Sequence, residues 1–328
     1  CLFLVGSEMC IRDSNISNLI SQLTNKSNQL LKAYLADKYS TRSERPTFDS
    51  DDLWKRSSAF LKEYPVILST TFSATSSLKN IIYDYVIVDE ASQVDLTTGV
   101  LAMSCAKNMV IVGDLKQLPN VVPEDVRKTI AQLSIGNNIA LNYRYEENSL
   151  LSSMCKTYEN ISRTLLREHY RCHPKIIGFC NQKFYNNQLV IMTQDNGESD
   201  VLKAYITVEG NHARGHFNQR QIDEITNNIL PELNSSDVGI IAPYKDQTFA
   251  LAEEITGQID ISTVHKFQGR EKDDIIISTV DNEITEFTDN PNMLNVAVSR
   301  AKKRLRIVVS DSEKNGRTNI GDLIKYIQ

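Results

Sequence analysis

The 328-residue sequence has no surplus of basic residues: 36 Lys and Arg stand against 41 Asp and Glu, a formal net charge of −5. A chain-wide attraction to nucleic acid is therefore excluded, although a local basic groove is not. Long apolar runs are also missing. Stretches such as 86–88 and 275–277 are far too short to cross a bilayer, so no membrane partner is expected. The six cysteines, Cys1, Cys10, Cys105, Cys155, Cys172 and Cys180, form no C-x-x-C pair. That argues against a zinc site and a disulfide framework and suits free thiols in a reducing cytoplasm. There is no Gly/Ser linker, internal repeat or low-complexity tract. What remains, 41% hydrophobic and 23% charged, is an ordinary globular composition with room for two domains.

The opening residues, CLFLVGSEMCIRDS, have neither the basic start nor the apolar length of a signal peptide. Residues 4–14 resemble the translation of a transposon-type sequencing adapter, since EMCIRD can be back-translated as GAG ATG TGT ATA AGA GAC. Residues 1–14 are accordingly set aside as an assembly scar, with Cys1 and Cys10, and the natural gene is expected to continue upstream of Asn15. Residues 15–40 carry Ile16, Leu19, Ile20, Leu23, Leu30, Leu31 and Leu35 at helical spacing, and 43–52 is a polar loop. The helical segment 15–64 is compatible with an insertion into a first domain.

From Pro65 onward, short apolar runs alternate with amphipathic stretches. The pattern predicts strands at 66–69, 85–88, 109–112, 204–208, 238–242, 260–264, 275–280 and 305–310. It predicts helices at 94–106, 124–133, 174–184, 219–229, 246–255 and 292–302. Alternating strands and helices indicate an α/β fold whose sheets are mostly parallel and covered on both faces. A boundary near 164 divides the remainder of a first domain, 65–163, from a second, 164–328.

Two strand ends carry chemistry. VIVDEASQ, residues 86–93, is an apolar strand ending in Asp89 and Glu90. Ligands of open α/β sheets sit at the carboxyl ends of strands, which places Asp89 to hold Mg²⁺ and Glu90 to polarise an attacking water. Taken alone, Asp-Glu after an apolar run is as readily a strand-to-helix turn with a capping Asp. VIVGDLKQLP, residues 110–119, supplies a second strand end. There Gly113 permits a tight turn near a ligand and the Gln117 amide can sense a terminal phosphate. The two together are much less readily coincidental than either alone.

These motifs, with STTFSA (69–74), HYRCHPKI (169–176), GIIAPYKDQ (239–247), STVHKFQGREKDDIIIS (262–278) and LNVAVSRAKKRL (294–305), resemble the Up-frameshift-type branch of superfamily-one helicases. The likeness runs in order over about residues 65–311. It implies two RecA-like domains, the first incomplete, that bind ATP and Mg²⁺ and move 5′-to-3′ on single-stranded RNA or DNA. It further implies that Arg171 and Arg300 reach across as arginine fingers, that Gln117 contacts the terminal phosphate and that Tyr170 stacks on the adenine. Glu271, beside Gly269, would contact the nucleotide sugar. Thr70, Thr71, Thr263 and Lys266 would lie along the nucleic-acid strand. The planar guanidinium fork independently suits charge spread over phosphoryl oxygens. Arg300 is expected on the helix 292–302. His169, His173 and His265 show no metal-ligand spacing, and satisfied polar contacts are expected for them.

A phosphate-cradling loop, G-x-x-x-x-G-K-[ST], is missing. Of thirteen glycines, the nearest match is GRTNIGDL (316–323), which has the glycine spacing but Asp322 where a lysine belongs. Expressed alone, the chain is therefore expected to turn over little ATP and to expose apolar sheet edges. A nucleotide-gated nucleic-acid clamp that does not unwind duplexes fits the same motifs. A non-hydrolysing scaffold fits them poorly, because Asp89, Glu90, Gln117, Arg171 and Arg300 are all retained.

Overall fold

The computed structural model describes residues 7–40, 46–208, 213–214, 216–233, 235–257, 259–311 and 317–328, with side chains omitted at 7–17 and 213–214. Cys1, part of the 43–52 loop and Gly316 lie outside the described residues, as does the Cys10 side chain. Two compact units emerge, 1–81 and 82–328. No helix among the described residues is long and apolar enough to cross a membrane.

The first unit holds α1 (Ser7–Tyr39), α2 (Asp52–Lys55) and α3 (Ser57–Glu63). The expected helix forms, but its apolar row, including Leu19, Leu23 and Leu30, stays exposed. Phe48, Phe60 and Tyr64 form a small aromatic cluster with centroids 5.0–6.1 Å apart. The strand expected at 66–69 does not form. A strand needs a neighbour to hydrogen-bond, and none lies beside this segment among the described residues; Leu68 is 94% exposed.

The second unit begins with β1 (Tyr83–Val88), α4 (Leu96–Ser104), β2 (Ala106–Ile111), α5 (Glu124–Gly136) and α6 (Leu150–Thr157). Strands β1 and β2 pair in parallel with Val88 opposite Ile111, so the two chemistry-bearing strand ends lie side by side. Tyr85, Ile87 and Val110 remain exposed on this small sheet. The chain continues through β3 (Glu168–His169), α7 (Pro174–Phe184), β4 (Val190–Ile191), β5 (Leu202–Thr207), β6 (Ala213–Arg214) and β7 (Phe217–Asn218). Next come α8 (Gln219–Glu224), a π-helical turn (Ile225–Ile229), α9 (Leu230–Glu232), β8 (Val238–Ala242), α10 (Lys245–Glu254), β9 (Asp260–Thr263) and α11 (Val264–Phe267). The last elements are β10 (Lys272–Ser278), α12 (Pro291–Val298), β11 (Ala301–Ser310) and α13 (Asn319–Ile327).

Five strands form one parallel sheet in the order β5-β11-β10-β8-β9. Side chains alternate across a strand, and the residues sort accordingly. Ile241, Ile275, Ile277, Leu305, Ile307 and Val309 face a core shared with α7, α12 and α13. Val238, Ile240, Ile276 and Val308 face the opposite core with α8, the π turn and α10. Both faces are covered, which is why the strands read as continuous apolar runs. Gly239 in β8 is needed for space: an added Cβ would lie 2.5 Å from Phe267 Cζ.

The helix expected at 292–302 stops at Val298, because Ala301 already pairs with Lys272 in the sheet ladder. Arg300 therefore sits in a two-residue turn between α12 and β11, not on a helix.

A buried polar network closes the end of β10. Gln247 Nε2 donates to Ser278 Oγ (2.9 Å), which donates to Gln221 Oε1 (2.8 Å). The same Gln221 oxygen accepts the Val280 N–H (2.9 Å), and Asn218 Nδ2 donates to the Val280 carbonyl (2.8 Å). Val280 has φ 69°, a true outlier for a β-branched residue, and these two bonds hold it there. Gln221→Leu would leave the Ser278 hydroxyl and Val280 N–H without their acceptor, so it should cost about 2–4 kcal/mol. A urea melt checks this; an unchanged midpoint would show that the network does not hold the strand end.

Candidate functional site

The site is assembled where β1 and β2 end. Val88 is buried, and the chain then turns sharply: Asp89 Oδ1 accepts the Glu90 N–H (2.9 Å) and Glu90 adopts φ 50°. A left-handed glutamate costs about 1–2 kcal/mol, and such strain persists where the surroundings impose it. Here the Ala91 N–H donates to the Val112 carbonyl (2.9 Å), tying the turn to the end of β2. The second carboxylate oxygen of Asp89 accepts no protein hydrogen bond among the described residues. Glu90 Oε2 accepts from Gln93 Nε2 (3.3 Å).

Gly113 is required for a different reason from the one expected. Its φ is not left-handed; instead an added Cβ would lie 3.1 and 3.2 Å from the Ala91 and Ser92 nitrogens. The glycine lets β2 close against the Asp-Glu turn. Beyond it, Asp114 organises residues 114–118. Its Oδ1 accepts the Lys116 N–H (2.8 Å) and its Oδ2 accepts from Gln117 Nε2 (3.2 Å). The carboxylate therefore fixes the amide with its nitrogen toward Asp114, leaving Gln117 Oε1 buried and without a partner among the described residues.

From the larger sheet, three residues that sequence reasoning missed reach this loop. The Tyr185 hydroxyl donates to Asp114 Oδ2 (2.6 Å). Asn295 Nδ2 donates to Tyr185 Oη and to the Lys116 carbonyl, both 2.8 Å. Asn292 Nδ2 donates to the Gln117 carbonyl (2.9 Å). Burial first, then the Asp114 charge, pushes the Tyr185 pKa up, so the phenol stays a donor. The available signal was the N-x-x-N spacing in α12, which puts both amides on one helix face.

The two arginines also belong to the larger sheet. Arg300 is 4% exposed; its Nε donates to the Val296 carbonyl (3.1 Å), Nη1 to the Arg270 carbonyl (3.4 Å) and Nη2 to Ser299 Oγ (3.2 Å). Burial lowers its pKa most and the Arg171 charge lowers it further, while Cys172, Glu90 and Glu271 oppose this. Glu90 of the small sheet and Arg300 of the larger one thus share an electrostatic neighbourhood. Arg171 is half-exposed and pairs with Glu271 (Nε–Oε2 2.5 Å). Gly269, with φ 78°, makes the turn that leads to Glu271. Tyr170 presents an exposed ring, its hydroxyl bonded to Glu168.

Cys172 is fully buried; its thiol donates to the Ser299 carbonyl (3.3 Å) and burial pushes its pKa to about 12, which excludes it as a nucleophile. His173 lies near Asp195 and Glu198. Its Nδ1 accepts the Lys175 N–H (3.2 Å) and its Nε2 faces Glu198 (3.2 Å). Both ring nitrogens of His173 are thus engaged by protein partners. Cys105, Cys155, Cys172 and Cys180 are free thiols.

The expected strand contacts are dispersed. Thr263 is buried at the start of α11 and Lys266 is exposed on it. Thr70 and Thr71 belong to the other unit; Thr70 Oγ1 accepts the Ser73 N–H (3.1 Å) in a local turn.

Two families described as AAA domains match the chain, one over residues 11–124 and the other over 211–312. The chain is 29% identical over 274 residues to an uncharacterized ATP-dependent helicase of Caenorhabditis elegans, covering 75% of this chain and 17% of that protein. It is 30% identical over 290 residues to the probable helicase MAGATAMA 3 of Arabidopsis thaliana, covering 77% and 34%. Against an uncharacterized ATP-dependent helicase of Methanocaldococcus jannaschii it is 26% identical over 299 residues, covering 81% and 42%. The chain spans less than half the length of each of these relatives.

His169 provides a pH test of the arginine neighbourhood. Burial, then the charges of Arg171 and Arg300, lower its pKa to about 4, and neutral Nε2 accepts the Cys172 N–H (2.9 Å). An unfolded imidazole titrates near 6.5, so between about 6.5 and about 4 the unfolded chain binds a proton that the folded chain refuses. Stability from this group is complete above pH 6.5 and is lost as pH falls through that window. The urea midpoint should drop between about pH 7.5 and about pH 5, and His169→Gln should flatten that drop. An equal drop in the variant would mean that His169 is not held neutral by its neighbours.

Proposed function

The chain belongs to the superfamily-one helicases of the Up-frameshift-type branch, and on that premise we propose that it forms most of a motor core that hydrolyses ATP and moves 5′-to-3′ along single-stranded RNA or DNA. Residues 65–163 and 164–328 are its two RecA-like halves in this reading, and the free thiols suit a cytoplasmic setting. The observation that supports the reading is that the two chemistry-bearing strand ends of the small sheet lie side by side, with the Gln117 loop that follows the second held by Asn292 and Asn295 beside the larger sheet.

The residues present fit magnesium-bound ATP. A half-free carboxylate, a strained glutamate, two guanidinium groups and a Gln117 amide whose buried oxygen can accept from a water make up a set of groups that suits phosphoryl transfer. When bound, the nucleotide supplies the transferable phosphoryl group and its cation offsets the oxygen charge. Asp89 would hold that cation through its second oxygen. Glu90 orients the attacking water and accepts its proton. Arg300 needs little side-chain ordering, because neighbouring carbonyls already fix it. Arg171 must leave Glu271 to reach a phosphate, and that release frees Glu271 for the sugar. Gln117 faces the terminal phosphate, Tyr170 stacks on the adenine and Gly269 turns the chain beside the sugar. Thr70, Thr71, Thr263 and Lys266 follow the nucleic-acid backbone, where hydroxyl and ammonium contacts give no sequence preference.

Oligonucleotide-stimulated ATPase of the protein as encoded, with any residues that precede Cys1, tests this. Glu90→Gln should lower kcat by about 10²–10⁴ and Arg300→Lys by about 10³ or more. A Glu90→Gln variant as active as the parent would sink the proposal. Translocation without strand separation would instead assign the nucleotide-gated clamp.

A further inference from the structure

Residues 114–118 follow the small sheet in sequence but are held by the larger one. Leu118 is 4% exposed and sits in the same core as Ile176, Phe267 and Ile275. Asn292 and Asn295 bind three consecutive carbonyls of the loop, those of Leu115, Lys116 and Gln117. Tyr185 binds the Asp114 carboxylate that also fixes the Gln117 amide. Asn295 is 1% exposed and bonds Tyr185 as well, so the contacts form one chain: α12 amide, α7-end phenol, loop carboxylate, Gln117 amide.

We propose that Tyr185 and Asn295 are positioning residues that relay the state of the larger sheet to Gln117. Through them, nucleic acid bound along α11 and its neighbours sets the orientation of the amide that meets the terminal phosphate. The relay rests on the motor reading above. Its physical basis is that Asp114 Oδ2 is shared. It accepts from Gln117 Nε2 and from Tyr185 Oη, so a shift of α7 or α12 that moves the phenol changes the grip on the amide. A hydrogen bond to a charged acceptor is stronger than one between neutral groups, so this junction is stiff rather than incidental. Helix α11 packs against α12, which carries Asn292 and Asn295, giving a short path from Lys266 to the loop.

Amide hydrogen exchange on the 328-residue chain tests the relay without requiring turnover. The Lys116 N–H is held by Asp114 Oδ1 and the Gln117 N–H by the Asp114 carbonyl, so both report on this junction. Without ligand, Tyr185→Phe should raise exchange at 116–117 by about tenfold, while β8 and β10 exchange as in the parent. At saturating oligothymidylate or oligouridylate, the parent should slow exchange at 116–117 several-fold, and Tyr185→Phe should lose that response. Asn295→Ala should behave in the same way, and Asn292→Ala should weaken the hold without abolishing the response.

Equal ligand-free exchange in parent and Tyr185→Phe overturns the hold on the loop. An oligonucleotide response that survives Tyr185→Phe, or is missing from a parent shown by fluorescence anisotropy to be saturated, overturns the relay. A parent that binds neither oligonucleotide contradicts the motor reading itself, and the relay falls with it. The anisotropy titration identifies that case separately.

Discussion

Leu118 is the side chain on which the geometry depends. It ends a loop that begins at Asp114, and it is buried in the core of the five-stranded sheet. Removing a buried leucine from such a place costs about 2–5 kcal/mol, so the loop is anchored by packing before any polar contact is counted. With Leu118 fixed, Gln117 has little freedom left. Asn292 and Asn295 then set the register of the loop through its carbonyls, and Asp114 sets the orientation of the amide. The β2 end is drawn toward the larger sheet by this anchor, and Gly113 lets the Asp-Glu turn follow by closing against it.

Around that anchor, charge is distributed in a way that favours an anion. Arg171 lies near enough to disfavour the charge on Arg300, while Cys172, Glu90 and Glu271 offset it. A buried guanidinium is tolerated when its donors are used and anions are near, and Arg300 meets both conditions. His169 is held neutral and Cys172 is held as a thiol, so neither contributes charge or nucleophilicity. The pair of Arg171 with Glu271 is half-exposed and readily broken, which makes Arg171 a mobile charge of the site.

The parallel strands of the larger sheet were legible because burial on both faces writes an unbroken apolar run, as in 238–242 and 275–277. Asp89, Glu90 and Gln117 were legible as strand-end polar residues, and the strand pairing sets those ends side by side. Other features were not visible. The segment 66–69 has strand composition but no partner among the described residues, and composition cannot supply one. The helix expected to 302 ended at Val298, because pairing of Ala301 with Lys272 overrides helical periodicity. Gly113 was read for its conformational freedom, whereas its role is close approach, a property of two strands at once. Tyr185, Asn292 and Asn295 were passed over because their partners lie 71 to 179 residues away. No local pattern encodes contacts at that separation.

The most direct measurement is a structure of the protein as encoded, bound to magnesium and a non-hydrolysable ATP analogue. The predicted result has Arg171 parted from Glu271, with Arg171, Arg300 and Gln117 all within hydrogen-bond reach of the terminal phosphate and Asp89 on the cation. A nucleotide bound with the Arg171–Glu271 pair intact, or seated away from the ends of β1 and β2, would contradict the assignment of this junction as the site of phosphoryl transfer.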